Sequence, residues 1–172
     1  MLGTNNLKKI HFIGVGGAGM SGIAEILLNM NYKISGSDNT PSTITRRLEK
    51  IGLDFYDFHS AENLKDVDLV VFSSAIKINN PELVEAEKKG IKVIQRAEML
   101  AFLSELRESI IFAGSHGKTT TTCITAHIFK ENKLDPTYII GGKVSSFESN
   151  AKLGNGKHIL AEADESLSLI HI

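Results

Sequence analysis

A single cysteine, Cys123, leaves the chain unable to form an internal disulfide, which fits a reducing compartment. Net charge is nearly absent: 19 basic against 20 acidic residues give −1 at neutral pH, so nothing in the balance points to nucleic acid or an anionic membrane as a partner. Long apolar runs are missing too, and with them any membrane-spanning segment. The stretch after Lys8-Lys9 begins like a signal peptide, but His11 and the glycines at 14, 16, 17, 19 and 22 spoil its apolar core. These absences favour a cytoplasmic protein. What is present, 42% hydrophobic and 23% charged residues over 172 positions, is enough for one globular domain, or one domain plus part of another.

Short apolar runs alternate with helical spacing along the whole chain. Lys9–Ile13, 33–36, 68–72, 91–94, 109–112, 138–140 and 158–161 read as strands. Helices are predicted over 20–31, 43–51, from Asn80-Pro81 to Gly90, over 96–107 and over 121–130, the last with Ile124, His127 and Ile128 on one face. Ser42 and Asn80 stand where N-caps belong, and Gly52 and Gly90 where helices stop. Alternation at βαβ spacing predicts a Rossmann-like parallel sheet covered on both faces. Polar residues at Arg107-Glu108-Ser109 separate two apolar segments, so a domain boundary is expected there, with one domain over 1–107 and a second αβ unit opening after it.

Two glycine turns carry the chemistry. The first, Gly14-Val15-Gly16-Gly17-Ala18-Gly19-Met20, satisfies G-x-G-x-x-G between a strand and a helix. Such a turn lets backbone amides approach a diphosphate. Asp38, about 20 residues beyond Gly19, stands where an acid would bond ribose hydroxyls, although Asp38 alone also reads as a turn residue. Ser73 and Ser74, at the carboxyl end of a strand, are either ligand contacts or turn formers.

The second turn is Gly114-Ser115-His116-Gly117-Lys118-Thr119-Thr120. Open amides at a helix start attract phosphate oxygens, Lys118 would add a full charge at the β- and γ-phosphates of ATP, and the Thr119 hydroxyl suits Mg²⁺. The usual loop would have glycine where this chain has Phe112, and the plainer reading is a glycine-rich turn before a helix. Four successive threonines, Thr119 to Thr122, are mediocre helix formers, so something other than propensity put them there. Downstream, a strand delivers Glu162-Ala163-Asp164-Glu165-Ser166, which is either a metal-holding acid group or a solvated turn. The first loop, having no lysine, can grip a diphosphate; the second has the equipment to move a phosphoryl group.

These motifs, with Gly36-Ser37-Asp38, Ser73-Ser74-Ala75-Ile76 and Arg96-Ala97-Glu98-Met99-Leu100, together resemble the Mur ligase family over residues 10 to 166. The family's Gly-x-His-Gly-Lys-Thr loop accounts for Phe112. The resemblance implies the truncated start of an ATPase domain over 108–166. It implies ATP on Gly114 to Thr120, Lys118 and Glu165 in catalysis, and Mg²⁺ on Thr119 and Glu162. Gly14, Gly16, Gly17, Ala18, Gly19, Met20, Asp38, Ser73 and Ser74 would hold UDP-N-acetylmuramate, with L-alanine as the amino acid joined to it. Three rivals stand beside it: a sister ligase attaching a tripeptide, a dinucleotide-binding module and a P-loop kinase. After Ser166 the family pattern breaks, and Leu167 to Ile172 read as a non-native tail. A chain of this extent is expected to be inactive alone.

Overall fold

The computed structural model describes residues 8–141 and 149–163. By internal contacts the chain divides into two compact units, residues 1–96 and 97–172. The division falls at the start of the helix Arg96–Glu105, whereas the sequence places a boundary at the end of that helix.

The first unit holds five strands, β1 (Lys9–Ile13), β2 (Lys33–Ser37), β3 (Asp54–Tyr56), β4 (Leu69–Phe72) and β5 (Lys92–Gln95). They form one parallel sheet in the order β3-β2-β1-β4-β5. The order reverses between β1 and β4, and in open parallel sheets ligands bind at the carboxyl ends beside such a reversal. Helices α1 (Ala18–Asn29), α2 (Thr43–Lys50) and α3 (Pro81–Lys88) make the crossovers. Ser42 caps α2 with a full capping box, accepting from the Thr45 amide while the Thr45 hydroxyl accepts from the Ser42 amide. Asn80 caps α3 ahead of Pro81.

Side chains alternate across β1, so Ile10 and Phe12 face one side and His11 and Ile13 the other. Ile13 packs with Leu64, Val67, Val70 and Ala86, beneath partly buried Leu83 and Ile91. Gly36 in β2 is glycine by necessity, because a Cβ there would lie 2.9 Å from the Val15 Cβ and 3.1 Å from the Phe12 carbonyl oxygen. That close approach lets the turn after β1 cross over β2.

The second unit contains α4 (Arg96–Glu105) from Ala97 on, β6 (Glu108–Phe112), α5 (Lys118–Glu131), β7 (Thr137–Ile139), β8 (Ala151–Lys152) and β9 (His158–Glu162). Its sheet runs β6-β9-β7-β8, with β8 antiparallel to β7 and the other pairs parallel. Ala126, Tyr138, Ile140 and Leu160 form its core, with Phe112, Cys123 and Phe129 against them. The predicted helical face of α5 is therefore not the packed one: Ile124 and Ile128 are more than half exposed, and Thr122 and Ala126 are buried.

Candidate functional site

In the first unit the glycine turn leaves β1 and enters α1 at the carboxyl edge of the sheet. Four of its amides are occupied within the protein. Gly14 and Val15 donate to the Ser37 carbonyl at 2.8 and 3.1 Å, and Gly17 donates to the Gly14 carbonyl at 3.2 Å. Gly16 donates to Asp38 Oδ2 at 2.9 Å. Asp38 thus stands against the loop, as its spacing suggested, and its second oxygen accepts from the Thr40 amide at 3.0 Å. Each carboxylate oxygen keeps a lone pair, enough for a hydroxyl donor. The open groups are those of the helix start: α1 has no side-chain cap and no acid in its first turn, so the amides of Ala18, Gly19 and Met20 carry the dipole's positive end outward. Ser73 follows β4, and its hydroxyl accepts from the Ala75 amide at 3.2 Å, the turn-forming role; Ser74 is exposed beside it.

Beneath this edge lies a polar cluster that sequence reading passed over. Glu82, in the first turn of α3, is fully buried. Its Oε1 accepts from His11 Nε2 at 3.1 Å and Asn63 Nδ2 at 2.8 Å. Its Oε2 accepts from Ser37 Oγ at 2.7 Å and His59 Nδ1 at 2.9 Å. His11 Nδ1 in turn lies 2.9 Å from Ser35 Oγ. Burial alone would raise the Glu82 pKa, but the bonds and charge of His11, with the bonds from Ser37 and Asn63, outweigh it and hold the carboxyl below its usual range. The sequence signal was a histidine inside an otherwise apolar strand.

In the second unit, α5 begins at Gly117, whose φ of 80° is a left-handed conformation that glycine adopts without strain. The helix has no side-chain cap, and residues 113–117 are exposed, Ser115 and His116 included. Lys118 Nζ turns back to donate to the Gly114 carbonyl, so the ammonium stands over the loop. Thr121 and Thr122 donate to the carbonyls of Gly117 and Lys118, both at 2.9 Å, which satisfies two of the four threonines along the helix. Thr120 is exposed.

Thr119 and Glu162 meet. Strand β9 pairs with β6 so that Glu162 lies opposite Phe112, at the mouth of the loop. Thr119 Oγ1 donates to Glu162 Oε2 at 3.2 Å, and Glu162 Oε1 is buried with no partner among the described residues. A buried, unpaired carboxylate oxygen is costly unless something positive completes it. A hydroxyl and a carboxylate are oxygen donors, the kind Mg²⁺ takes when it is held by one or two protein groups together with phosphate oxygens. The pair fits the metal on that count. Among the described residues, no group of three or more His, Cys, Asp or Glu could hold a metal. Burial and the nearby Glu162 charge raise the Cys123 thiol pKa. Asp164, Glu165 and Ser166 lie outside the described residues, as do Gly142 and the tail from 167 onward.

A groove of about 860 Å³ opens elsewhere, lined by Lys9, Lys33, Asp54 and Asp68 among others. It lies at the amino ends of the strands, away from the turn after β1. Two of its three acids are already engaged, Asp54 by Lys9 Nζ and Asp68 by the Lys8 and Lys9 amides, and the third is Asp66.

Two α/β units, each opening a helix at a glycine turn and the first built on a Rossmann-like parallel sheet, define an α/β protein. The description "Mur ligase family, catalytic domain" matches residues 9–108, more than half of the chain, and the chain belongs to the Mur ligase family. Among curated relatives, the UDP-N-acetylmuramate–L-alanine ligase of Pelobacter propionicus is 56% identical over 93% of this chain and 35% of that protein. The enzyme of the same name from Desulfatibacillum aliphaticivorans is 59% identical over 92% of this chain and 35% of its own length. The chain thus spans about a third of the length of these relatives. Among solved structures, the UDP-N-acetylmuramate–alanine ligase of Thermotoga maritima aligns with a TM-score of 0.82 at 34% identity, covering 90% of this chain and 37% of that one. A UDP-N-acetylmuramate:L-alanyl-γ-D-glutamyl-meso-diaminopimelate ligase from Neisseria meningitides aligns with the same TM-score at 28% identity, covering 92% and 53%.

Proposed function

We propose that a protein of the relatives' length carrying this sequence joins L-alanine to UDP-N-acetylmuramate at the expense of ATP, in the cytoplasm, as a step of peptidoglycan precursor synthesis serving cell shape and division. The observation that carries the reading is the Thr119–Glu162 pair with its unpartnered oxygen, set beside Lys118 at an uncapped helix start. Such equipment suits a triphosphate that is spent, and the lysine-free loop of the first unit suits a sugar nucleotide that is only held.

In this reading, residues 1–107 hold UDP-N-acetylmuramate through the start of α1, Asp38 and the Ser73-Ser74 turn, and residues 108–166 hold ATP. Lys118 and the α5 amides stabilise charge on the phosphates. Thr119 and Glu162 hold Mg²⁺, which when bound neutralises charge on the β- and γ-phosphates. Glu165 is assigned to catalysis by the family resemblance alone. The γ-phosphoryl group passes to the lactyl carboxylate, giving an acyl phosphate and ADP. The alanine amine then attacks the acyl carbon, the amide forms, phosphate leaves and a proton is released.

Calorimetry tests the binding half. The chain is expected to bind UDP-N-acetylmuramate and Mg²⁺-ATP at separate sites and to give no heat with NAD. Tight NADH binding without UDP-sugar binding would overturn the reading in favour of a dinucleotide module. The structural likeness to the Neisseria ligase keeps a tripeptide-attaching sister as the second reading. The higher identity to alanine-adding relatives favours the first.

A further inference from the structure

The first unit contains a buried carboxylate that none of this chemistry uses. Glu82 collects donors from four separate stretches: His11 of β1, Ser37 of β2, His59 after β3, and Asn63 in the 3₁₀ turn Ala61–Asn63. Ser37 matters most for the loop. Its hydroxyl is tied to Glu82, and its carbonyl takes the amides of both Gly14 and Val15. The next residue, Asp38, takes the amide of Gly16. Three successive loop amides are therefore held by two residues whose placement depends on one carboxylate.

Core stability alone does not ask for a charge here. Well-packed apolar side chains commonly serve a core as well as a buried ion pair does, and what a satisfied polar network adds is one fixed arrangement. The first turn of α3 favours the anion through its dipole.

We propose that Glu82 is a positioning residue for the sugar-nucleotide loop: through Ser37 it holds Gly14 to Gly16 in their ligand-receiving shape without touching the ligand. The proposal rests on reading that loop as the sugar-nucleotide site. The test is amide hydrogen exchange on the 172-residue chain and its Glu82→Gln variant, which keeps the volume and removes the charge, together with calorimetry against UDP-N-acetylmuramate and Mg²⁺-ATP.

In Glu82→Gln, the Gly14, Val15 and Gly16 amides are expected to exchange at least tenfold faster, while those of Phe12 and Val70 keep their protection. Affinity for the sugar nucleotide should fall at least tenfold and that for ATP should hold, with Glu82→Asp recovering part of the loss. Unchanged loop protection would overturn the proposal. So would a uniform loss of protection across β1, β2 and β4, since that is what a merely structural role produces. If Glu82→Gln does not fold, Ser37→Ala cuts the same link and is read by the same pattern. Should the unaltered chain bind no UDP-N-acetylmuramate, the sugar-nucleotide reading fails, and the exchange pattern still decides whether Glu82 shapes the loop.

Discussion

The two glycine turns start helices in the same manner and differ in what surrounds them. The first is clamped: Ser37 and Asp38 occupy its amides, and a buried network stands behind Ser37. The second is exposed, carries its own ammonium, and faces a carboxylate with one oxygen unsatisfied among the described residues. A clamped cradle without an ammonium suits a ligand that is gripped throughout a reaction. A charged and incompletely satisfied one suits, in the proposed reading, a ligand whose phosphates change. The contrast shows that a glycine-rich turn specifies only room and direction. Chemistry comes from what the neighbouring strand ends deliver.

Four substitutions or conditions sharpen that contrast. Gly36→Ala should act hardest, since the new Cβ meets the Val15 Cβ and a backbone oxygen at 2.9 and 3.1 Å. Overpacking of this kind costs about 3 kcal/mol at the upper end of the common range. Denaturant unfolding should show that loss in the first unit and leave signals of the second unit unmoved. Glu162→Gln should weaken Mg²⁺-dependent ATP binding by roughly tenfold, equal to about 1.4 kcal/mol, with no change in UDP-sugar affinity; calorimetry with and without Mg²⁺ reads both. Ser42→Ala removes the α2 cap and should cost about 1 kcal/mol, lowering the melting midpoint of a domain this size by roughly 4–8 °C.

Acid acts most gently. The folded pKa of Glu82 lies below its ordinary 4.5, so its contribution is complete above that value and is lost as pH falls through the lowered folded value. Glu82→Gln should therefore flatten the acid limb of the first unit's stability profile, measured as denaturant midpoints between pH 6 and pH 3.

Much of this was legible in the sequence. The strand–turn–helix frame of both loops follows from apolar spacing, and the caps at Ser42 and Asn80 sit where they were read. Strand β3 escaped because Asp54-Phe55-Tyr56 is three residues of partly exposed edge, too short for alternation to register. Strand β8, two residues long, offers no period at all. The face of α5 was misread because Ile124 and Ile128 are its two isoleucines at helical spacing, whereas the packed side is built from Thr122, Cys123, Ala126 and Phe129. Threonine hydroxyls that bond the preceding turn can be buried cheaply, which hydrophobicity does not reveal. The Glu82 cluster was out of reach for a different reason. Its members stand up to 71 positions apart, and only the parallel register brings them together.

The central claim is that the two loops hold different nucleotides independently, and Lys118→Ala tests it most directly. The variant should be titrated calorimetrically with Mg²⁺-ATP and with UDP-N-acetylmuramate beside the unaltered chain. Loss of a charged contact to phosphate predicts an ATP affinity lower by roughly 100-fold, with the sugar-nucleotide affinity unchanged. Equal loss of both ligands, or retention of full ATP affinity, would contradict it.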